Sequence, residues 1–155
     1  MNAKTRYIKA IKKLIDLYSE DAASFKMIRK NIQCPLCVVQ LYCKGCPAYT
    51  GDNLGTCHNI LAPSLRILLN MEPINKANRR RIENCLLVRK IFWVRMLEDI
   101  EQHWPEIYFE STARYFSYER NKFVRAAVLN CQKYALDKYK EITGKGFRLM
   151  GGYLR

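Results

Sequence analysis

Apolar positions recur at helical spacing in three long stretches of the chain. Tyr7, Ile8, Ile11, Leu14, Ile15 and Tyr18 alternate with Lys and Arg, which predicts an amphipathic helix over about residues 3–19. Ala22 to Arg29 reads as a second, short helix. The longest pattern begins near Asn75, and Ile82, Cys85, Leu86, Val88, Phe92, Met96 and Ile100 line one broad face. Pro105, just after His103 and Trp104, stops it. A turn or extended stretch precedes the third main helix, predicted over about Tyr118 to Ile142. Its apolar stripe is Phe123, Val124, Ala127, Val128, Cys131, Tyr134, Ala135 and Tyr139, and Gly144 stands where a C-terminal cap belongs.

Residues 34–57 break this rhythm. They hold Gly45, Gly51, Gly55, Pro35 and Pro47 and no sustained periodicity, so the segment is expected to fold around something other than its own core. Beyond it, Pro63 suits a helix start and Ser64 to Leu69 one or two turns. The predicted fold class is mainly α, with three main helices packed around a small irregular cysteine-rich metal-binding module. A chain of 155 residues makes one domain of this kind. Its parts are an N-terminal helical segment (1–33), the cysteine module (34–57), a helical core (58–144) and a flexible basic tail (145–155).

Within the module, Cys34-Pro-Leu-Cys37 and Cys43-Lys-Gly-Cys46 form two C-x-x-C knuckles, and Cys57-His58 follows. Two thiolates separated by two residues bind one ion because the tight turn aims both sulfurs inward. Two such pairs make a tetrahedral site suited to Zn²⁺. Cys34, Cys37, Cys43, Cys46 and Cys57 are therefore the candidate metal ligands, one more thiol than a tetrahedral site takes. His58 could replace a thiolate. A [4Fe–4S] cluster is the alternative, since Cys46-Pro47 matches the Cys-Pro that closes ferredoxin-type runs. Cys85 and Cys131 fall on apolar helix faces and read as buried core thiols.

The run Cys34-Pro-Leu-Cys37, Cys43-Lys-Gly-Cys46-Pro47, Thr50-Gly51 and Cys57, with Pro63 beyond, resembles a group of small uncharacterised bacteriophage proteins that share a five-cysteine module. The resemblance covers about residues 30–65 and the placement of the helix at 75–103, and leaves out the basic C-terminal third. It implies a phage or prophage origin and a shared cysteine fold, and brings no catalytic residue. Where those relatives carry Thr-Pro after the last cysteine, this chain has Ala62-Pro63.

Charge narrows the partners. The chain carries 27 Lys+Arg against 14 Asp+Glu, a net charge of +13. Residues 1–33 contribute +5 and residues 111–155 contribute +7, whereas the cysteine module is neutral. A basic face made by the two ends would suit phosphate or an acidic protein surface. The candidate nucleic-acid contacts are Arg79, Arg80 and Arg81, then Arg114, Arg120, Lys122 and Arg125, the latter interleaved with Tyr115, Phe116, Tyr118 and Phe123. Arginine forks match phosphate and aromatic faces stack on unpaired bases. Packed into a core, the same aromatics would leave the arginines to snorkel outward.

Other classes are set aside. No apolar run reaches the ~18 residues of a spanning helix, so no membrane is expected as a partner. Lys9, Lys12 and Lys13 interrupt the only early apolar stretch, so no secretory signal is read and an intracellular setting, host cytoplasm or virion, is expected. His58 and His103 are the only histidines, and no acid, base and nucleophile set assembles, so the chain reads as non-enzymatic. The lead expectation is a small basic zinc protein that binds nucleic acid or a nucleic-acid-associated complex. The alternatives are a module that docks on an acidic protein surface, as a virion component or inhibitor, and an iron–sulfur redox or sensing protein.

Overall fold

A computed structural model of the protein describes residues 2–19, 76–109 and 118–146. These residues form three α-helices and one 3-10 turn, with no strand among them. The helices are α1 (Ala3–Ser19), α2 (Lys76–His103) and α3 (Tyr118–Thr143), and the 3-10 turn spans Glu106–Phe109. The mainly α class is thus observed, and the three predicted helices appear within a residue of their expected bounds. The cysteine module, the predicted short helices at 22–29 and 64–69, and the tail from residue 147 lie outside the described residues.

Each helix end has a local cause. Asn2 caps α1: its Oδ1 accepts from the Thr5 backbone N–H and from the Thr5 hydroxyl, both at 2.8 Å. The last bond of α2 runs from the Trp104 N–H to the Ile100 carbonyl at 3.3 Å. Pro105 has no N–H to continue the ladder, and the chain tightens into the 3-10 turn. At the end of α3, Gly144 takes a φ of 71° and donates its N–H to the Lys140 carbonyl at 2.8 Å. That left-handed position suits glycine, which has no Cβ to clash.

α2 is the middle of the bundle, with α1 and α3 both packed on it. Both neighbours run antiparallel to α2. Lys4 near the start of α1 donates to the Trp104 carbonyl at 2.8 Å, and Tyr18 near its end meets Arg89. On the other side, Phe123 of α3 packs edge-on to Trp104, while Tyr134 lies beside Arg95. Serving two neighbours explains why α2 buries a face broader than an ordinary amphipathic stripe. Ile82, Cys85, Leu86, Val88, Phe92, Trp93, Met96 and Ile100 are all buried.

The far end of the core is aromatic. Trp104 packs against Phe109 and Phe123, and Tyr7 of α1 against Phe109, with ring centroids 5.6–5.7 Å apart. Trp104 also donates its indole N–H to Asp99 Oδ2 at 2.8 Å, so its one polar atom is satisfied inside the core. The three faces read from the periodicity are otherwise the buried faces, with one correction. Tyr134 belongs to the predicted apolar stripe of α3 but is 40 % exposed. It sits at the edge of that stripe, where its ring lies under the Arg95 guanidinium instead of beneath α2.

Candidate nucleic-acid interface

The structure divides the predicted site residues into four groups. Arg79, Arg80 and Arg81 are exposed in the first turns of α2. Arg79 is ion-paired there to Glu83 at 3.4 Å, a solvated i, i+4 pair worth ~0.5 kcal/mol. Lys122 and Arg125 are exposed near the start of α3. Arg114 and the five clustered cysteines, Cys34, Cys37, Cys43, Cys46 and Cys57, lie outside the described residues.

Arg120 is a correction. Its side chain is 1 % exposed, so it does not belong to a basic surface. The reason is register: Arg120, Val124 and Ala127 stand four and seven positions apart, on the stripe of α3 that faces the core. Lys122 and Arg125 are displaced about 200° and 140° from that stripe and face water.

The two exposed groups do not form one patch. α2 and α3 are antiparallel, so Lys122 and Arg125 flank the C-terminal end of α2, while Arg79–Arg81 stand at its N-terminal end. At 1.5 Å per residue that is a separation of about 35 Å. What lies at the same end as Lys122 and Arg125 is the start of α1, joined to it through Lys4, Trp104, Phe109 and Phe123.

α1 presents further candidate residues that the sequence reading passed over. Arg6, Lys9, Lys12 and Lys13 are all exposed, on the face opposite Tyr7, Ala10, Ile11 and Leu14. None of the four makes an ion pair among the described residues, and Asp16 is the one acid on that face. The signal was available in the i, i+3, i+7 spacing of Arg6, Lys9 and Lys13, complementary to the apolar stripe.

Of the interleaved aromatics, only one is presented to solvent in the described residues. Tyr118 is 79 % exposed at the start of α3 and shares a face with Lys122 and Arg125, at i, i+4 and i+7. Phe123 instead packs into the core against Trp104 and Tyr108. Tyr115 and Phe116 lie outside the described residues.

Three acids after residue 97 meet partners within the fold, two of them at the surface. Glu98 pairs with Arg95 at 3.7 Å, Asp99 accepts from Trp104, and Glu106 accepts from the Asn2 side-chain amide at 3.4 Å. His103 is exposed at the last residue of α2, where a cation complements the helix dipole. Among the described residues no three His, Cys, Asp or Glu side chains gather as a metal site. Cys85 and Cys131 are buried free thiols, and burial pushes both up to about 12. Beside Cys85 the Arg89 charge opposes that shift, whereas Asp99 adds to it at Cys131.

No protein-family model matches the chain, and neither a curated protein nor a solved structure is similar to it. No helix among the described residues is long and apolar enough to cross a membrane.

Proposed function

We propose that the chain is a non-enzymatic, metal-organised nucleic-acid-binding protein, which stacks unpaired bases on Tyr118 and gathers the phosphate backbone with Lys122, Arg125 and the cations of α1. The observation that carries this reading is the exposed Tyr118–Lys122–Arg125 face at the end of the bundle where α1 starts, with the exposed Arg6–Lys9–Lys12–Lys13 stripe running along α1 away from that end. An exposed aromatic contributes little to a fold, and water solvates its ring poorly. Beside two cations on one helix face it becomes a platform: the ring stacks on a base while the cations meet the neighbouring phosphates. The cysteine spacing supports one Zn²⁺ held by four of Cys34, Cys37, Cys43, Cys46 and Cys57, which would hold residues 34–57 rigid. The phage resemblance of that module fits an intracellular or virion setting, in which such a protein meets nucleic acid.

The test is equilibrium binding of a labelled single-stranded oligonucleotide and its duplex across a salt series, read by fluorescence anisotropy. The expected plot of log K against log salt has a slope of about −0.7 for each phosphate neutralised on the single strand. Reversing Lys9, Lys12 and Lys13 to Glu should shorten that slope by about two to three phosphates. Affinity that ignores salt, or a slope untouched by the reversal, would overturn the reading.

A further inference from the structure

The outward face of α3 carries a single row of exposed side chains along most of its length. Tyr118, Lys122, Arg125, Leu129, Lys133 and Lys140 are all exposed. At about 100° per residue they fall within about 80° of the helix circumference, and at 1.5 Å per residue they span about 33 Å. Val124, Cys131 and Ala135, which pack into the core, are rotated about 120–160° from the middle of the row. No carboxylate interrupts it: Glu119, Asp137 and Glu141 are rotated about 80–120° away. Elsewhere on α2 and α3, exposed cations meet an acid one turn off, as in Arg79–Glu83, Arg95–Glu98 and Lys138–Glu141. Lys122, Lys133 and Lys140 make no such pair among the described residues. Between Arg125 and Lys133, about 12 Å apart along the axis, stands Leu129, 42 % exposed.

We propose that this row is the track of a single nucleic-acid strand, which starts with a base stacked on Tyr118 and runs along α3 to Lys140. Its phosphates meet Lys122, Arg125, Lys133 and Lys140, and its sugar and base carbons cross Leu129. The inference rests on the nucleic-acid reading and gives it a path and a length. Shape selects this occupant along with charge. On a helix ~11 Å across, the row is about 8 Å wide, so it fits a narrow, extended polyanion that alternates anionic and apolar groups. A compact anion would reach two of the cations at most. A flat anionic surface such as a membrane would press the flanking Glu119, Asp137 and Glu141 against like charge. At the ~3.4 Å per nucleotide of a stacked strand, the row takes about ten nucleotides.

The experiment uses the full chain and fluorescein-labelled oligothymidylates of four and twelve nucleotides, titrated across a salt series and read by anisotropy. The twelve-mer covers the whole row, whereas the four-mer, at about 14 Å, ends short of Lys133. Lys133→Gln with Lys140→Gln should reduce the salt slope of the twelve-mer by about 1.4, two phosphates at ~0.7 each, and leave the four-mer at the parent value. Both positions are exposed, so the variant should melt like the parent by circular dichroism. Lys90→Gln with Lys138→Gln removes the same charge from the groove between α2 and α3 and should move neither slope. No salt-dependent binding of either oligonucleotide would overturn the nucleic-acid reading and the track with it. Parent binding with an unchanged twelve-mer slope in the Lys133, Lys140 variant would overturn the track alone. An equal fall at both lengths, or the same fall in the Lys90, Lys138 variant, would do so too. Polyglutamate that displaces the twelve-mer as well as unlabelled twelve-mer does would overturn the track by assigning the row to an acidic protein. Phosphatidylserine vesicles that bind the parent and not the Lys133, Lys140 variant, while its twelve-mer slope is kept, would assign it to a membrane surface.

Discussion

Arg89 and Tyr18, 71 positions apart in the sequence, are joined twice. The guanidinium Nη2 donates to the tyrosine hydroxyl at 2.7 Å, and its carbon stands 5.0 Å from the centroid of the same ring. A cation with 4 % of its surface exposed has lost most of its water, and the hydroxyl and the ring face replace part of it. The pair therefore fixes how the end of α1 sits on the middle of α2. Tyr18→Phe removes the acceptor and keeps the ring, and should cost about 1.5 kcal/mol. Tyr18→Ala removes both and opens a void, and should cost about 3 kcal/mol. Urea unfolding followed by circular dichroism ranks the two, and equal losses would show that the ring face contributes nothing.

The buried thiols give a pH dependence with a definite sign. Burial raises Cys85 and Cys131 from 9.0 to about 12, so the folded protein holds both protons where the unfolded chain releases them. A group whose folded value is raised contributes stability that is complete below its unfolded value and is lost as pH climbs toward the folded one. Each thiol should thus withdraw up to ~1.4 kcal/mol per pH unit between about pH 9 and 12. Cys131→Ala should flatten that fall when urea midpoints are compared at pH 8.5 and pH 10.5. Alkylation at pH 8 should spare Cys85 and Cys131 until denaturant is added, because the thiolate is the reactive form.

Much of the helical frame was legible because its signals are local. Pro105 and Gly144 mark helix ends through their own backbone chemistry, and the apolar spacing marked the buried faces, whereas the Asn2 cap of α1 came from the structure. What was not legible depended on which helix meets which. Arg120 and Lys122 look alike in a run of basic and aromatic residues, yet two positions of helical rotation bury one and expose the other. Tyr134 fits the apolar stripe by spacing, and only the path of α2 leaves its ring at the surface under Arg95. The antiparallel packing that separates Arg79–Arg81 from Lys122 and Arg125 is likewise a property of the bundle and of no single segment. Periodicity also revealed the apolar face of α1 more readily than the basic stripe opposite it, which has the same repeat.

Tyr118 and Arg120 separate binding from folding. Tyr118→Ala removes a ring that is 79 % exposed, so the melting temperature should hold while affinity for single strands falls. Loss of one stacked base is worth about 1–3 kcal/mol, which is about fivefold to a hundredfold in affinity. Duplex affinity should scarcely change, since paired bases offer no free face to the ring. Arg120→Met should act in the opposite way: its guanidinium is buried, so stability shifts while the salt slope of binding stays at the parent value. If Arg120→Met shortens the salt slope in a protein that still melts cooperatively, the residue reaches phosphate after all.

The cysteine module makes the last and sharpest prediction. Two C-x-x-C pairs and Cys57 put five thiols in residues 34–57, one more than the four ligands of a tetrahedral Zn²⁺ site, so one Cys→Ser variant should keep its metal and the other four should lose it or bind it weakly. Native mass spectrometry on protein purified without oxygen or chelator should find one zinc per chain and a colourless sample. Removing that metal should lower helicity in α1, α2 and α3 only modestly, because these helices pack on one another directly through residues such as Ile11, Phe92 and Val124. A mass increment of four irons and four sulfides with a brown colour would replace the structural zinc with a cluster, and redox or sensing chemistry would then lead over binding.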